Sequence, residues 1–372
     1  MVAERAFWLA WSQINGIGPI LLRRLQQHFG TLAAAWSADR TALLAIEGLG
    51  LQMVDTVVRE RSRIAPETLL QQHQQQNPEF WTPNQTDIYP RLLLETASPP
   101  PVLYYRGKVD VQENQGLKPL IGIVGTRHPS EYGKRWTRKI STALAKNGFT
   151  VVSGMAEGID TEAHQACLEA GGRTIAVLGT GVDVVYPPRN QVLYQQILQQ
   201  GLVTSEYPAK TPPDRPHFPQ RNRIIAGMSR AVIVMEAPTR SGALITARFA
   251  NDFCRDVYVL PGSLDNERSH GCLALISNGA TVILGVEHLL EMLGAMPQLD
   301  ANQSPQQLEL LSIPDLEPEI KQVWEAIAFE SMAFDAIVQQ TNMSAGAVSS
   351  ALLQLELIGL ITQLPGMRYQ RS

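Results

Sequence analysis

The run PLIGIVG, residues 119–125, is apolar without alternation and ends in glycine. A strand with one wet face alternates apolar and polar residues; an unbroken run is the pattern of a strand covered on both faces. Six further runs share that grammar: TVVSG (150–154), TIAVLG (174–179), LVTSE (202–206), AVIVMEA (231–237), DVYVLPG (256–262) and TVIL (281–284). Helical periods lie between them, among them YGKRWTRKISTALAKNG (132–148) and DTEAHQACLEAGG (160–172). Strand and helix in alternation predict an α/β fold, a Rossmann-like, doubly wound and mostly parallel sheet.

Outward from this segment the grammar changes. Residues 1–75 read as a helical domain with two Gly-apolar-Gly turns, INGIGPILLRRL (Gly16, Gly18) and IEGLGLQMVDTV (Gly48, Gly50). Each precedes a helical period, the pattern of a helix-hairpin-helix pair or of a plain helical bundle. In the first reading the turn amides approach a phosphate. The stretch QQHQQQNPEFWTPNQTD reads as a linker or surface crossing, and AMPQLDANQSPQQLELLSIPD, near 295–315, as a second one. They bracket a central domain at 85–295. Residues 316–372 read as three helices and a ribbon, a winged helix. Ser344 is the expected N-cap of its third helix, and Pro365-Gly366 the turn of its ribbon. That third helix offers Ser, Ala, Gly and Leu and no Lys or Arg, so reading of a duplex is not expected of it.

Length and composition set the class. At 372 residues the chain exceeds a single domain at a prior of roughly 150 residues each. With 44% hydrophobic and 18% charged residues, it is composed like a soluble globular protein. No apolar run reaches the ~18 residues a membrane span needs. MVAERAFWLAWSQ carries Glu4 and has no signal-peptide core, so no secretory leader is expected there. Three scattered cysteines, Cys167, Cys254 and Cys272, form neither a disulfide framework nor a metal site. A cytoplasmic protein without a bound metal or cofactor is expected. The formal net charge of -4 argues against a histone-like binder but allows basic groups gathered in one groove.

Ligands of an open parallel sheet bind beyond the carboxyl ends of its strands. Those ends read Gly125-Thr126-Arg127, Ser153-Gly154 with Gly158-Ile159-Asp160 opening the next helix, and Gly179-Thr180-Gly181. Small residues there leave amides near a ligand, and helix N-termini add partial positive charge, which together predict a phosphate site. Asp160 and Asp183 are expected to cap turns or orient amides, and His164 to be a packed or solvated helix residue. Neither GxGxxG nor GxxxxGK[ST] follows a strand, so a tightly held dinucleotide or ATP is not supported. HFPQRNRIIAG (217–227) reads as a loop with a buried stem: Ile224 and Ile225 inward, Gly227 turning the chain.

The motifs GIVGTR, VVSGMAEGID, VLGTGVDVVYP, SEYP, HFPQRNRIIAG, VMEAPTRSGALITARFA, VLPGS and GCLALISNGA keep one order and spacing. From about residue 88 to 285 the chain thereby resembles the DprA/Smf family, the DNA-processing proteins of natural transformation. The flanks fit the family's N-terminal helical and C-terminal winged-helix modules less specifically. The resemblance implies a domain that binds single-stranded DNA without a chemical reaction, protects incoming strands and helps load RecA recombinase. It also implies a homodimer, with Leu273 and Val282 near the dimer surface. By position it makes Arg127 a DNA contact and Phe218, Arg221 and Arg223 the opposite wall, with Arg215 just before it. The amides at Gly125, Thr126 and Gly154 would donate to phosphate oxygens, beside Ser153 and His217. Phe218 would stack on a base for about 1–3 kcal/mol, and Asn222 position the wall or touch a base edge. A structural reading stands beside this one: Arg221 and Arg223 could pair with Glu206, Glu236 or Asp214. Two rivals remain, a protein-interaction adaptor and a nucleoside-monophosphate phosphoribohydrolase. The latter places its general acid/base glutamate where this chain has Phe249.

Overall fold

The computed structural model describes residues 4–77, 79–294, 318–327, 332–341, 343–357, 361–364 and 368–371. The chain divides into two compact units, residues 1–301 and 302–372. In the first, nine strands form one sheet: β1 (Phe80–Trp81), β2 (Leu103–Gly107), β3 (Leu120–Val124), β4 (Thr150–Ser153), β5 (Thr174–Val177), β6 (Leu202–Ser205), β7 (Ala231–Val234), β8 (Asp256–Val259) and β9 (Thr281–Val282). Their order is β1-β2-β6-β5-β4-β3-β7-β8-β9. From β6 to β9 every neighbouring pair is parallel. All seven apolar runs of the sequence are these strands.

The chain walks from β3 to β6 in one direction, then crosses back to place β7 on the free side of β3. That reversal is the topological switch point, and the crevice it opens lies beyond the carboxyl ends of β3 and β7. Every residue of β3 through β7 is buried, as the unbroken runs require. One face packs on helices His217–Met228 and Gly242–Asp252 through Ile224, Ile225, Ala243 and Ala247. The other packs on Glu131–Lys146 and Ile159–Glu169 through Ile140, Leu144, Ile159 and Ala163.

The antiparallel β1 and β2 carry no such signal. β2 pairs with β6 from Tyr104↔Ser205 to Gly107↔Leu202, and β1 pairs with β2. The glutamine-rich stretch expected as a linker instead contains the end of the helix Pro66–Gln76 and then β1. Its Phe80 and Trp81 are fully buried, and Trp81 stacks on Tyr105 at 4.1 Å. Two aromatic residues outweigh the polar composition around them.

The N-terminal helices have their own core around Trp8, Trp11, Leu22, Leu25 and Val54. Gly16 and Gly48 have φ of 89° and 92°, a region that costs residues with a Cβ. A Cβ at Gly16 would also meet Met53 Cε at 2.3 Å. Gly18 and Gly50 are the N-caps of the next helices, Pro19–Phe29 and Leu51–Arg61. The helices are tied to the sheet. Arg23 Nη1 donates to the Thr96 carbonyl at 3.1 Å, and His73 Nε2 lies 2.7 Å from the Tyr104 hydroxyl.

In the second unit, helices Pro318–Ala326, Phe334–Thr341 and Ala345–Leu357 enclose Val323, Ile337, Val348, Leu352 and Leu355. A three-stranded sheet completes it: β10 (Met332–Ala333), β12 (Arg368–Arg371) and β11 (Ile361–Leu364), in that order. Ser344 caps the third helix, its Oγ accepting from Ala347 N at 3.3 Å. The exposed residues of that helix include Leu353 and Glu356 and no cation. The expected turn at Pro365-Gly366 and the second polar stretch at 295–315 lie outside the described residues.

Candidate nucleic-acid interface

HFPQRNRIIAG is helix, not loop: His217–Met228 is α-helical from its first residue. Pro216 precedes it and Pro219 sits in the first turn, where backbone N–H groups have no intrahelical partner to lose. The buried residues Arg221, Ile224, Ile225 and Met228 follow i, i+3, i+4, i+7, a period that was present in the sequence. Gly227 does not turn the chain. A Cβ there would stand 2.7 Å from Leu93 Cδ2, so the glycine admits the neighbouring helix Arg91–Leu94.

This helix aims its first two turns at the carboxyl ends of β4 and β5. Arg221 is only 4% exposed, and its guanidinium donates to the Gly154 carbonyl at 2.6 Å and to that of Val177. It fills the space a Cβ at Gly154 would need, 2.4–2.6 Å away. Burial pulls its pKa down to about 10, with the Asp160 carboxylate opposing, so it is charged at neutral pH. Asp160 Oδ2 accepts from the amides of Gly154 (3.1 Å) and Ala156 (3.3 Å). Burial raises the Asp160 pKa, while Arg221 and these amides hold it down. The turn they enclose places Met155 at φ 55°, an uncommon region for a side-chain-bearing residue. Asn190 Nδ2 clamps that turn through the Met155 carbonyl at 2.9 Å.

The loop after β3 is fixed from a different side. Thr126 N donates to the Glu236 carbonyl at 2.7 Å. The buried Glu236 carboxylate accepts from Ser130 N at 2.8 Å and from Ser130 Oγ. Gly158, at φ 81°, lets its helix start against this loop, because a Cβ there would lie 2.5 Å from the Thr126 carbonyl oxygen. Arg127 projects from the loop into solvent. It has no acidic partner among the described residues, and its guanidinium lies 5.7 Å from the Phe218 ring centroid.

The structure therefore sorts the expected site residues. Arg127, Gly154, Phe218 and Arg221 line one cleft of about 100 Å³, with Glu157, Tyr186 and Pro187. Exposed Arg215 precedes the helix, and His217 stacks on Tyr207 at 3.9 Å while donating through Nδ1 to the Gly179 carbonyl. Asn222 bonds the Gly242 carbonyl at 3.1 Å and positions its own helix. Gly125 serves packing, since a Cβ there would meet Ile159 at 2.5 Å.

Three expectations fail on geometry. Ser153 is fully buried, and its hydroxyl donates to the Ile123 carbonyl at 2.6 Å. The amides of Thr126 and Gly154 are already bonded within the protein and are not free for a phosphate. Arg223 is turned away from the cleft, paired with Glu206 and bonded to the Ser98 carbonyl at 2.8 Å, as the structural reading had it. Asp183 orients an amide, that of Lys210, at 2.9 Å. Buried His164 packs in its helix, and Phe249 stacks on Phe253, which leaves no carboxylate at the place the hydrolase reading requires. Leu273, on the helix His270–Ser277, and Val282, in the edge strand β9, are half-buried.

The sequence reading missed Tyr186, Glu157 and Asn190. The Tyr186 ring lies 5.4 Å from Phe218 at 35°, extending one aromatic shelf. Past Arg127 the cleft opens into a groove of about 420 Å³ with His128, Lys134, Arg189 and Arg268 along it. A shelf of two rings, a cation with no acidic partner among the described residues and a basic groove, gathered beyond the carboxyl ends of β3, β4 and β5, suit an anionic polymer with flat bases.

The family model described as DNA recombination-mediator protein A matches residues 80–294, and that of the DprA winged helix domain matches 307–367. The chain belongs to the DprA family. It is 52% identical to the protein Smf of Synechocystis sp., over 99% of both chains. Among solved structures it is similar to DprA of Streptococcus pneumoniae, with a TM-score of 0.68 and 33% identity over 78% of this chain and 98% of that one. It is also similar to DNA processing protein A of Helicobacter pylori, solved to show its single-stranded DNA binding mode. There the TM-score is 0.51 and the identity 33%, over 55% of this chain and 92% of that one. Membership of the family gives the second unit its identity as a winged helix. No described helix is long and apolar enough to cross a membrane.

Proposed function

We propose that this protein binds single-stranded DNA at the Arg127 cleft, protects incoming strands and helps load RecA recombinase during transformation and recombination, without catalysing a reaction. The observation that carries this reading is Arg127 itself, a cation without an acidic partner among the described residues, beside the rings of Phe218 and Tyr186. Arg127 and Arg215 meet phosphates, Phe218 and Tyr186 take bases, and buried Arg221 holds the floor while adding positive potential. The protein acts as a homodimer whose surface includes Leu273, Val282 and the edge strand β9. Two clefts on one strand then raise avidity where the strand spans both. The single-stranded DNA binding of the Helicobacter relative supports the polymer class.

Fluorescence anisotropy on labelled dT12 and on a duplex, across a salt series, tests the reading. Tighter binding to dT12 is expected. The Arg127→Ala variant is expected to lose about tenfold in affinity and to reduce the salt slope by about one contact. Tighter duplex binding, or an unchanged slope in the variant, rejects the cleft as the site. Removing residues 316–372 and measuring binding to DNA and to RecA separates the winged helix's role from that of the cleft.

A further inference from the structure

A carboxylate stands where only cations would be expected if the cleft held phosphate alone. Glu157 lines both the cleft and the basic groove. Its Oε2 pairs with Arg189, and no hydrogen-bond partner for Oε1 occurs among the described residues. Its side chain is 30% exposed. Phe218 and Tyr186 line the cleft with it, and Arg127 is common to cleft and groove. A carboxylate repels phosphate, so the polymer's backbone cannot be what fills its side of the cleft. A base can. Stacked against the rings, a base presents its edge, and an ionised carboxylate only accepts hydrogen bonds.

Given a base on the rings of Phe218 and Tyr186, as the proposed function has it, we propose that Glu157 reads that base's edge, favouring bases with an exocyclic amine over thymine. This rests on the proposed function and deepens it. Guanine offers N1–H and the N2 amine side by side to one carboxylate, and cytosine and adenine offer one amine each. Thymine's single N3–H is flanked by two carbonyl oxygens that the carboxylate repels. Arg189 holds the carboxylate at the mouth and leaves its second oxygen for the base. The volume of about 100 Å³ suits a single base rather than a stacked run.

The test is anisotropy with dC12 and dT12 at pH 8 on the full-length protein, its Glu157→Gln variant and its Arg189→Met variant. For the wild type, dC12 is expected to bind about threefold to tenfold tighter than dT12. Glu157→Gln presents both a donor and an acceptor, so the ratio is expected to fall to about one while affinity for both polymers rises. Arg189→Met keeps the carboxylate, so the preference is expected to persist while overall affinity falls. Equal binding of dC12 and dT12 by the wild type overturns the proposal. So does a ratio that survives in Glu157→Gln, which would leave Glu157 a repulsive charge and nothing more. Failure of the wild type to bind either polymer rejects the proposed function as well, and so is distinguishable from failure of the base reading alone.

Discussion

The two edges of the central sheet use the same ingredients and finish them differently. At the amino edge, Glu113 has a side chain only 1% exposed, and Arg173 Nε donates to its Oε1 at 2.7 Å. The Thr150 hydroxyl donates to the same oxygen, and Lys118 lies 3.9 Å away. Arg173 also reaches the carbonyls of Gln200 and Lys108. Glu113, Arg173 and Lys118 there each meet an opposite charge. At the carboxyl edge, Asp160 and Arg221 are buried and bond mainly to backbone amides and carbonyls, while Arg127 stands in water with no ion pair among the described residues. The amino edge is a closed electrostatic joint. The carboxyl edge is a rigid floor under exposed cations, Arg127 foremost, that form no ion pair among the described residues, the arrangement a binding site needs.

Removing Arg221 tests the floor and carries the largest expected effect. Arg221→Met strands the Asp160 charge and two buried carbonyls, and should cost about 3–5 kcal/mol in urea unfolding. A loss below about 1 kcal/mol would mean the guanidinium merely fills space. Glu113→Gln tests the joint. The amide oxygen can still accept from Thr150 and Arg173, but the charge is gone, so about 2 kcal/mol should be lost. If the two costs came out reversed, the amino edge would be the more strained of the two, and the contrast would fail.

The sheet was legible because burial on both faces writes long apolar runs, and the glycine-bearing strand ends located the crevice. Four features were not legible. β1 and β2 pair antiparallel at the edge, where strands need no apolar run, and FW was hidden among glutamines. The 217–228 helix reads as a loop in sequence because Phe-Pro and two arginines look like punctuation, although its buried residues keep helical spacing. Arg221 and Arg223, two positions apart, looked alike in sequence. Two residues on a helix are about 200° apart, so one turns to the cleft and the other to Glu206. Motif position alone could not say which arginine stays with the site. Tyr186 and Glu157 lie in quoted motifs, but only the fold brings them beside Phe218.

The next effect depends on pH and belongs to the wall behind the cleft. His164 Nδ1 lies 2.7 Å from Thr174 Oγ1, whose own proton goes to the Val151 carbonyl. Nδ1 must therefore donate, and Nε2 is buried with no hydrogen-bond partner among the described residues. Burial, with Arg221 adding repulsion, lowers the His164 pKa from 6.5 to about 3. The unfolded chain takes up this proton first, so the contribution is complete above pH 6.5 and is lost as pH falls toward 3. The slope should reach up to ~1.4 kcal/mol per pH unit in that window. His164→Asn keeps a donor toward Thr174 and removes the titration. Its unfolding free energy should fall less steeply between pH 6.5 and 4 than that of the wild type, whatever its value at pH 8. Parallel curves would mean the imidazole is protonated in the fold.

The smallest stability effect is expected at the residue with the largest proposed role. Arg127→Ala removes an exposed side chain that forms no ion pair within the described residues and touches the Phe218 ring only across 5.7 Å. A cation–π contact this exposed contributes about 0.5 kcal/mol, so unfolding free energy should change by no more than that. The same variant should lose strand affinity. A stability loss above about 1 kcal/mol would show that Arg127 belongs to the floor. A drop in binding could then reflect a disturbed crevice rather than a missing contact, and the contrast between the committed and the uncommitted arginine would no longer explain the site.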